Sequence, residues 1–593
     1  ASGDPLRAFA YDNLTAAEKA YFNPGPDACV GAANPSPTSN LSQYCPLGGT
    51  ASVPEMSATK LVDFLRGNRG LEQDGEVGHA QIWRRRAHVL GDIVDTQPIF
   101  VKAPSAGYTD TGYADFKTAQ ASRKPIVVVS AQDGMLHAFN AYSGSVTVSG
   151  TAFGPGEEMW AFIPSETMQN MKWLADPNYS HRFLIDGPIS VGDVDFGGGD
   201  WHTIMVGASG AGGSTYFALD ITDPTDPKYL WEFSHANLGK TVSNAAITKL
   251  PSGEWVVMFS SGYNNTANGG DGAGHLFALN VQTGALKSGF PISNLSGTSG
   301  SPSNLGRITP WADSPATNNT TQFVYAGDTS GDVWRFDMNP NTTGHSTTQV
   351  FKLAHLEKAG IPQPITTKPE VTLLSNDVRL IMVGTGKYLE VADLTNTDVQ
   401  AMYAMKDTMG AANKGGAGQE TWNPVTDTLP SDATKPMFLA RTLVGVDQNG
   451  DDITQLNSLG VTVRHRKVCT GAGATVTSSG TAPNKTYVCN NTSTTSVDYA
   501  VHGGWYAELT EAGERINVDP RIVQGTLIFA SNIPGAGSCT VGGNSWFIAL
   551  DAASGTALEE FAGIRITGAL VVGLAVIRLA SGQYKAIATD SGY

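Results

Sequence analysis

Hydrophobic and polar positions along the chain repeat as one short phrase. Each copy has a β-branched or aromatic run, a tight turn with Gly and Asp, a second apolar run that ends in Asp or Asn, and another turn. The copies are VVVSAQDGMLHAFNAYSG (127–144), GHLFALNVQTG (274–284), VYAGDTSGDVWRFDM (324–338) and SWFIALDAASG (545–555), with a shorter one, STYFALDITDP (214–224). Such a phrase predicts a hairpin of two strands.

The recurrence of these hairpins predicts an all-β propeller. One hairpin cannot bury its own apolar face, so hairpins repeated at tens of residues indicate sheets stacked side by side. The second runs end at Asn140, Asp220, Asn280, Asp337, Asp407 and Asp551. The long last interval is expected to hold two blades, one of them around GGWYAELTEAGERI at 503–516. Seven blades result if a strand in 88–101 and strands in 569–590 share one sheet.

The chain is expected to have two parts. Residues 1–87 carry helical patterns, because AAEKAYF and SATKLVDFLRGN have 3.6-residue apolar spacing and Ser57 is a suitable N-cap. This segment is expected to pack on a propeller formed by 88–593. Its largest inter-blade loop is predicted at 408–500, which is rich in Gly, Thr and Asn. Long loops on a rigid scaffold commonly carry binding sites.

Charge and hydropathy narrow the choice of partners. The 593 residues include 38 basic and 54 acidic groups, a formal net charge of −16. An acidic surface disfavours nucleic acid, and the basic cluster at 83–86 is expected to be a solvated or salt-bridged edge. No apolar run reaches the ~18–20 residues of a membrane helix, so no membrane span is expected. The chain opens without Met or a signal sequence, and we expect it to be a piece of a longer protein.

The five cysteines indicate an oxidising compartment. Cys469 and Cys489 bracket a stretch rich in Gly, Ser and Thr without the additional ligands of a zinc site, and a disulfide is expected between them. Cys29 and Cys45 are a second possible pair, and Cys539 is left over. Free buried thiols are the alternative. Disulfides would place the protein outside the cytoplasm.

Catalytic motifs are missing from the sequence, which has no GxSxG elbow, HExxH or P-loop. The repeated phrase does resemble the ALDAxTG turn of quinoprotein dehydrogenases. Those enzymes place a Trp a few residues beyond the Gly, whereas SVTV, ALKS and TALE follow Gly144, Gly284 and Gly555. Their adjacent Cys-Cys pair is also missing. We therefore expect no enzyme and no bound quinone. A quinone- and calcium-dependent periplasmic dehydrogenase on the same fold is the alternative.

One turn has the oxygen spacing of a calcium loop. DQNGDD at 447–452 places Asp447, Asn449 and Asp451 at positions 1, 3 and 5 of an EF-hand-type loop. Position 6 is Asp452 rather than Gly, and position 12 is Ser458 rather than Glu. If calcium is a cofactor, these three residues are the predicted ligands. A solvated hairpin turn is the alternative.

Phrases along nearly the whole chain resemble the C-terminal domain of the PilY/PilC family, the type IV pilus tip-associated proteins and adhesins. The repeated phrases above belong to this set. The others follow the family's order and include LVDFLRGNRGLE (61–72), RRRAHVLGDIVDTQPIFV (84–101), EMWAFIPSE (158–166), HRFLIDGPISVGDVDF (181–196), QPITTKPEV (363–371) and IMVGTGKYL (381–389).

This resemblance implies a seven-bladed, modified, quinoprotein-like propeller without enzymatic activity. It implies a bacterial extracytoplasmic protein at the pilus tip, secreted or associated with the outer membrane. The implied partners are minor pilins and a host or abiotic surface. The implied roles are pilus assembly and extension against retraction, surface attachment and twitching motility. A surface propeller that binds glycan or protein without a pilus role is a third interpretation.

The chain departs from the family pattern at one calcium loop. Family members often have an Asp-rich loop directly before the YAGD phrase. Here the corresponding Asp positions are Ser314, Ala316, Asn318 and Gln322. Neutral side chains replace the charged oxygens, so no tight calcium site is expected at this loop.

Overall fold

The structure of the chain is a computed structural model. It describes residues 4–22, 41, 57–74, 80–338, 350–375, 377–407, 421–429, 431–456, 461–481, 485–490, 492–493, 495–535, 542–579 and 581–591. Cys29, Cys45 and Cys539 lie outside the described residues. The chain forms two compact units. Unit 1 comprises 1–271, 276–291 and 313–320, and unit 2 comprises 272–275, 292–312 and 321–593.

The described part of unit 1 contains four short α-helices, the hairpin of Val146–Val148 and Thr151–Phe153, and three larger antiparallel sheets, here called blades 1 to 3. The helices α1 to α4 are Ala16–Phe22, Ala58–Leu65, Tyr113–Ala119 and Ser165–Met171. Blade 1 is Ile99–Val101, Ile126–Ala131, Met135–Asn140 and Glu158–Phe162. Blade 2 is Ile189–Asp195, Trp201–Ala208, Tyr216–Asp220 and Lys228–Phe233. Blade 3 contributes Ala246–Lys249, Trp255–Ser260 and His275–Asn280.

Unit 2 contains blades 4 to 6 and a C-terminal hairpin. Blade 4 is Ile308–Trp311, Phe323–Gly327, Asp332–Asp337 and Val350–His355. Blade 5 is Glu370–Leu373, Arg379–Gly384, Ala401–Asp407 and Gly504–Glu508. Blade 6 is Arg521–Val523, Thr526–Pro534, Gly543–Asp551 and Gly563–Thr567. The hairpin is Val571–Arg578 and Tyr584–Asp590.

The prediction of an all-β propeller is confirmed. Every residue of the second strands of blades 3 and 5 is buried, which explains their nearly continuous apolar sequences. The Asp and Asn residues that were predicted to end the second apolar runs lie at the end of the third strand in all six blades. Several of them cap the following turn. Asn280 Oδ1, for example, accepts hydrogen bonds from the backbone N–H groups of Gln282 (3.1 Å) and Thr283 (2.9 Å).

Two details of the blade count are corrected. The segment 503–516 does not start a blade of its own, because Gly504–Glu508 is the fourth strand of blade 5. The C-terminal strands form a two-stranded sheet of their own, and Ile99–Val101 is the first strand of blade 1. The C-terminal hairpin is therefore a separate sheet, not part of the shared sheet that the sequence suggested.

Tryptophans dock neighbouring blades, contrary to the expectation from the sequence. The indole N–H of Trp231, on the last strand of blade 2, donates to Val281 O (2.9 Å) in the turn of blade 3. Trp505 of blade 5 donates likewise to Ala552 O (3.0 Å) in the turn of blade 6. A Cβ at Gly284 or Gly555 would lie 2.5 Å from the respective indole. Both tryptophans lie on the fourth strand of the preceding blade, far along the chain from Gly284 and Gly555, so the sequence next to these glycines does not reveal them.

The N-terminal segment packs on blade 1. Phe22, Leu61 and Phe64 share a buried cluster with Met135 of blade 1 and Met171 of α4. The cap of α2 forms as predicted, with Ser57 Oγ accepting from Lys60 N (3.3 Å). Within the described part of the chain, no helix is both long and apolar enough to cross a membrane.

The basic cluster at 83–86 holds this segment in place. Arg86 is buried, and its Nε donates to Glu72 Oε1 (2.7 Å). Its guanidinium also lies 3.7 Å from the centre of the Phe64 ring. Arg84 Nε donates to Leu174 O (2.8 Å). Arg84 and Arg86 therefore stabilise the packing of this segment through hydrogen bonds and, for Arg86, a salt bridge.

Candidate binding surface: the insertion in blade 5

Residues 408–503 form an insertion inside blade 5, which we call the blade 5 insertion. The third and fourth strands of blade 5 pair directly, from Ala401 with Glu508 to Met405 with Gly504. The segment 408–500 was predicted as an inter-blade loop, and the structure corrects this prediction. The described part of the insertion contains the strands Thr428–Leu429, Asp432–Pro436, Phe438–Val444, Thr454–Leu456, Thr462–Thr470, Thr475–Ser479 and Thr486–Asn490.

Two strands of the insertion join blade 5 to blade 6. Phe438–Val444 pairs parallel with Gly504–Glu508, the fourth strand of blade 5. Thr462–Thr470 pairs antiparallel with Phe438–Val444, and its His465 and Arg466 pair with Ile564 and Gly563 of blade 6. The outer edges of both blades are thereby covered, which removes two exposed strand edges. The insertion is consequently held on a continuous sheet.

A buried ionic cluster fixes this junction. The side chain of Arg466 is fully buried, and its Nη1 and Nη2 lie 2.5 and 2.9 Å from the two oxygens of buried Glu514. Arg466 also contacts Glu511 (3.0 Å). Glu511 accepts further hydrogen bonds from Arg565 (2.5 and 2.6 Å) and from Trp546 Nε1 (2.8 Å). Two arginines and two glutamates from separate segments thus form one bidentate network.

The cluster changes the titration of Glu511. Burial by itself would raise the pKa of Glu511, but the hydrogen bond and charge of Arg565, with the charge of Arg466, outweigh it and lower the pKa. A carboxyl group whose pKa is lower in the folded state stabilises the fold above its unfolded pKa. That contribution is lost as the pH falls through the folded pKa. Glu511 is therefore ionised at neutral pH.

The structure joins Cys469 and Cys489 in a disulfide, with their Cα atoms 5.7 Å apart. The bond lies beside a small buried core of Ile453, Val476 and Tyr487. Thr475–Ser479 and Thr486–Asn490 form a hairpin within the closed loop. Apolar side chains from outside the loop, Ile453 and Phe561, complete this core. The hairpin is thus held by packing as well as by the covalent bond.

Breaking the disulfide is expected to loosen this hairpin alone. In the chain-entropy model, a loop of this size destabilises the unfolded chain by ~3 kcal/mol. We expect Cys469→Ala/Cys489→Ala to increase amide hydrogen exchange in 475–490 while exchange in the blades is unchanged. Reduction of the parent should give the same pattern. Mass spectrometry that finds both thiols free in exported protein would contradict the assignment.

The predicted calcium ligands lie together in one turn, but their oxygens are engaged. Asp447 is buried, and its Oδ1 accepts from the backbone N–H groups of Asn449 (2.9 Å) and Asp451 (3.1 Å). Its Oδ2 accepts from Ser478 Oγ. Lys485 Nζ lies 3.6 Å from Asp447 Oδ2 and 3.5 Å from Asp451 Oδ2. The Ser478 hydroxyl, against the opposing effect of burial, lowers the pKa of Asp447.

As these residues lie, they do not fit a calcium ion. The ammonium group of Lys485 already compensates the two carboxylates, and the Asp447 oxygens are used by the turn itself. Within the described ranges, no three His, Cys, Asp or Glu side chains lie close enough to hold a metal ion. The calcium site at Asp447, Asn449 and Asp451 stays a prediction, and the hairpin-turn alternative accounts for the contacts seen.

A calcium titration distinguishes the two interpretations. We expect the thermal midpoint of the parent to be unchanged between calcium at about 1 mM and chelator. Asp447→Ala should lower the thermal midpoint equally in both conditions, because it removes a carboxylate that accepts three hydrogen bonds. A calcium-dependent rise in the parent that Asp447→Ala abolishes would instead establish the calcium site.

Three of the four positions that correspond to the family's calcium loop, Ser314, Ala316 and Asn318, lie in unit 1. Asn318 Oδ1 accepts a hydrogen bond from Thr320 Oγ1 (2.7 Å). The carbonyl of Ala316 accepts from Gly107 N (3.1 Å). These oxygens are used within the protein, and the absence of a tight calcium site here stays a prediction.

The outward side of the insertion exposes apolar side chains. Leu456 and Val461 flank the end of the hairpin formed by Thr454–Leu456 and Thr462–Thr470, and they are 43% and 57% exposed. Val488, on the disulfide-held hairpin, is 59% exposed. Exposed apolar side chains are a common feature of protein contact surfaces.

Most of the residues that build this surface carry no local sequence signal. Arg466, Glu511, Glu514 and Arg565 are separated by up to about a hundred residues and follow no motif. The alternating Thr and Val of TVTSS and TYVCN was the available signal for the hairpin strands. The Gly- and Thr-rich composition of the segment led instead to the prediction of a loop.

Comparison with known proteins gives consistent matches. A family model described as the PilY1 β-propeller domain matches residues 90–442. A type IV pilus biogenesis factor PilY1 homolog of Xylella fastidiosa (strain Temecula1) is 34% identical over 376 residues, covering 61% of this chain and 28% of that protein. The type IV pilus biogenesis factor PilY1 of Pseudomonas aeruginosa (strain PAK) is 30% identical over 392 residues, covering 60% and 31%. This chain spans less than a third of the length of these relatives.

A solved structure agrees with the fold. The crystal structure of the P. aeruginosa PilY1 C-terminal domain superposes with a TM-score of 0.57 at 23% identity, covering 80% of this chain and 93% of that one. The successive antiparallel sheets and docked tryptophans define a β-propeller protein. This chain belongs to the PilY1 β-propeller domain family, which confirms the resemblance seen in the sequence.

Proposed function

We propose that this chain is the propeller domain of a non-enzymatic type IV pilus biogenesis factor that acts outside the cytoplasm, at the pilus tip. Membership of the PilY1 family supports the pilus role, as do relatives described as type IV pilus biogenesis factors. The disulfide between Cys469 and Cys489 agrees with an oxidising compartment. In this role the protein promotes pilus assembly and extension against retraction, and thereby surface attachment and twitching motility.

The blade 5 insertion is the proposed contact surface for a minor pilin. The observation that carries this assignment is its attachment: it is paired with two blades and fixed by the cluster of Arg466, Glu511 and Glu514. A rigid base lowers the entropy lost on binding. Leu456, Val461 and Val488 supply the exposed apolar groups. Attachment to a host or abiotic surface is then a property of the assembled tip.

A pull-down with the organism's minor pilins tests this function. The parent chain should retain a minor pilin, and Leu456→Asp/Val488→Asp should reduce the retained amount about tenfold, because two charges would be desolvated in the interface. Val391→Asp is the matched control, since Val391 is 76% exposed and lies outside the insertion. It should bind like the parent.

Cells provide the second test. Deletion of the propeller from the full-length protein should reduce surface pili, twitching and attachment. Normal piliation, twitching and attachment in that strain would contradict the proposed function. Normal piliation with Leu456→Asp/Val488→Asp would reject only the assignment of the insertion as contact surface.

The rival function is a quinone- and calcium-dependent periplasmic dehydrogenase. The docked Trp231 and Trp505 are a feature that quinoprotein propellers share, so the rival must be tested directly. After incubation with quinone and calcium, we expect no bound chromophore and no dye-linked alcohol or sugar oxidation. Tight quinone binding with turnover would favour the rival.

A further inference from the structure

We propose that a polar cavity in unit 1 binds a neutral sugar unit of a glycan. The cavity has a volume of about 720 Å³ and is open to solvent. It lies between α4, the end of the last strand of blade 2 and Tyr21 of α1. Its size is in the range of small-ligand pockets, about 300–1,000 Å³. The proposal is independent of the pilus role.

The cavity wall is preorganised. Both carboxylate oxygens of Glu166 accept from Ser214 N (3.0 and 3.1 Å), and Oε2 also accepts from Ser209 Oγ (2.8 Å). Glu232 Oε1 accepts from Ser165 N (2.9 Å) and Ser165 Oγ (3.2 Å). A Cβ at position 213 would lie 2.2 Å from Glu166 Oε2, so a side chain there would displace the carboxylate from this position. The two carboxylates are thus held in place before any ligand arrives.

The chemistry of the lining favours a ligand with many hydroxyl groups. Besides the two glutamates, the cavity is lined by neutral groups that both donate and accept hydrogen bonds: Ser165, Gln169, Ser214, Thr215, Ser234 and Asn268. A sugar hydroxyl also donates and accepts, so it can use both functions of each group. Carboxylates accept from neighbouring hydroxyls, which completes a polar site for a neutral sugar.

Aromatic rings supply the apolar part of such a site. Tyr21, Phe233 and His235 line the cavity, and the rings of Phe233 and His235 are nearly parallel, with an interplanar angle of 9°. Flat aromatic faces pack well against the C–H face of a pyranose ring. A mainly polar lining excludes a purely apolar ligand, and the glutamates repel a phosphate or other anion.

A basic peptide fits less well than a sugar. Its ammonium or guanidinium groups only donate, so they give no partner to the side-chain amide N–H groups of Gln169, whereas a sugar hydroxyl both donates and accepts. The oxygens of Glu166 also already accept hydrogen bonds from Ser209 and Ser214, which leaves fewer lone pairs for an ammonium group. The neutral ligand therefore uses more of the lining.

A glycan array carrying neutral hexose and N-acetylhexosamine termini, followed by calorimetry with the free oligosaccharide that binds, tests the proposal. Ser234→Trp should fill the cavity and weaken binding at least about tenfold. Ser122→Trp is the matched control, since both serines are exposed and lie outside strands. Gln169→Ala should weaken binding about fivefold, the effect of one hydrogen bond. Circular dichroism should show all three variants folded.

Salt dependence separates the two ligand classes. Affinity for a neutral glycan should change less than about twofold between 0.05 and 0.5 M NaCl, because no ion pair is screened. Three results would overturn the proposal: no binding to any neutral glycan, binding that Ser234→Trp leaves intact, or binding only of a lysine-rich peptide that is lost at high salt.

Discussion

Arg466→Met is expected to destabilise unit 2 by about 3–5 kcal/mol, because it leaves Glu514 buried without its cation. Arg466 is fully buried and forms two short contacts with Glu514. The measurement is denaturant unfolding followed by tryptophan fluorescence, since Trp546 lies against the Arg466 guanidinium at 4.2 Å. Hydrogen exchange in Thr462–Thr470 should rise in parallel.

Two variants make this expectation specific. Arg464→Met is the control. Arg464 lies on the same strand as Arg466, but it is 39% exposed and its ion pair with Asp452 is at the surface. Arg464→Met should lower the free energy of unfolding by less than about 1 kcal/mol. Arg466→Met/Glu514→Met removes both charges and should recover a large part of the lost stability. A single variant as stable as the parent, or a double variant no better than the single, would show that the ion pair does not fix the junction.

Asp407→Ala is expected to lower the free energy of unfolding by a similar amount, about 3–5 kcal/mol, because it removes a buried ion pair between blade 4 and blade 5. Asp407 ends the third strand of blade 5 and pairs with Arg335 of the third strand of blade 4, with both side chains buried. Tyr325 Oη of blade 4 donates to Asp407 Oδ2 (2.6 Å). Burial, and then the charge of Asp407, raise the pKa of Tyr325, which keeps the phenol a donor.

A graded series checks this interpretation. Tyr325→Phe removes one hydrogen bond and leaves the ion pair, so it should lower the free energy of unfolding by only about 1 kcal/mol. Asp407→Asn keeps the shape but removes the charge, and should lie between Tyr325→Phe and Asp407→Ala. Thermal unfolding monitored by circular dichroism gives the order. Equal effects of all three variants would mean that the charge of Asp407 contributes nothing.

The sequence predicted those elements whose signals are local. Helices α1 and α2 were found because apolar spacing and the Ser57 cap act within a few residues. The third strand of each blade was found from its terminal Asp or Asn. Turn-forming side chains such as Asn280 act on their immediate neighbours, so the sequence around them carries the information.

Long-range pairings were not predictable in this way. The parallel pairing of Phe438–Val444 with Gly504–Glu508 joins segments that are about 65 residues apart, and spacing alone could not distinguish an insertion within a sheet from a new blade. Asp407 was predicted as the end of a strand, but its partner Arg335 is 72 positions away. The polar cavity likewise combines α1, α4 and blade 2, whose proximity only the fold creates.

The disulfide limits how far the insertion can extend under tension. A load that travels along the backbone from Thr462–Thr470 to Thr486–Asn490 crosses between Cys469 and Cys489, so the 19 residues between them carry no force. Fully stretched, those residues would span about 65 Å. Tension along Phe438–Val444 acts in shear on the parallel ladder with Gly504–Glu508 and loads several hydrogen bonds at once. Under the proposed function, tension from a pilus would therefore load a short, stiff attachment.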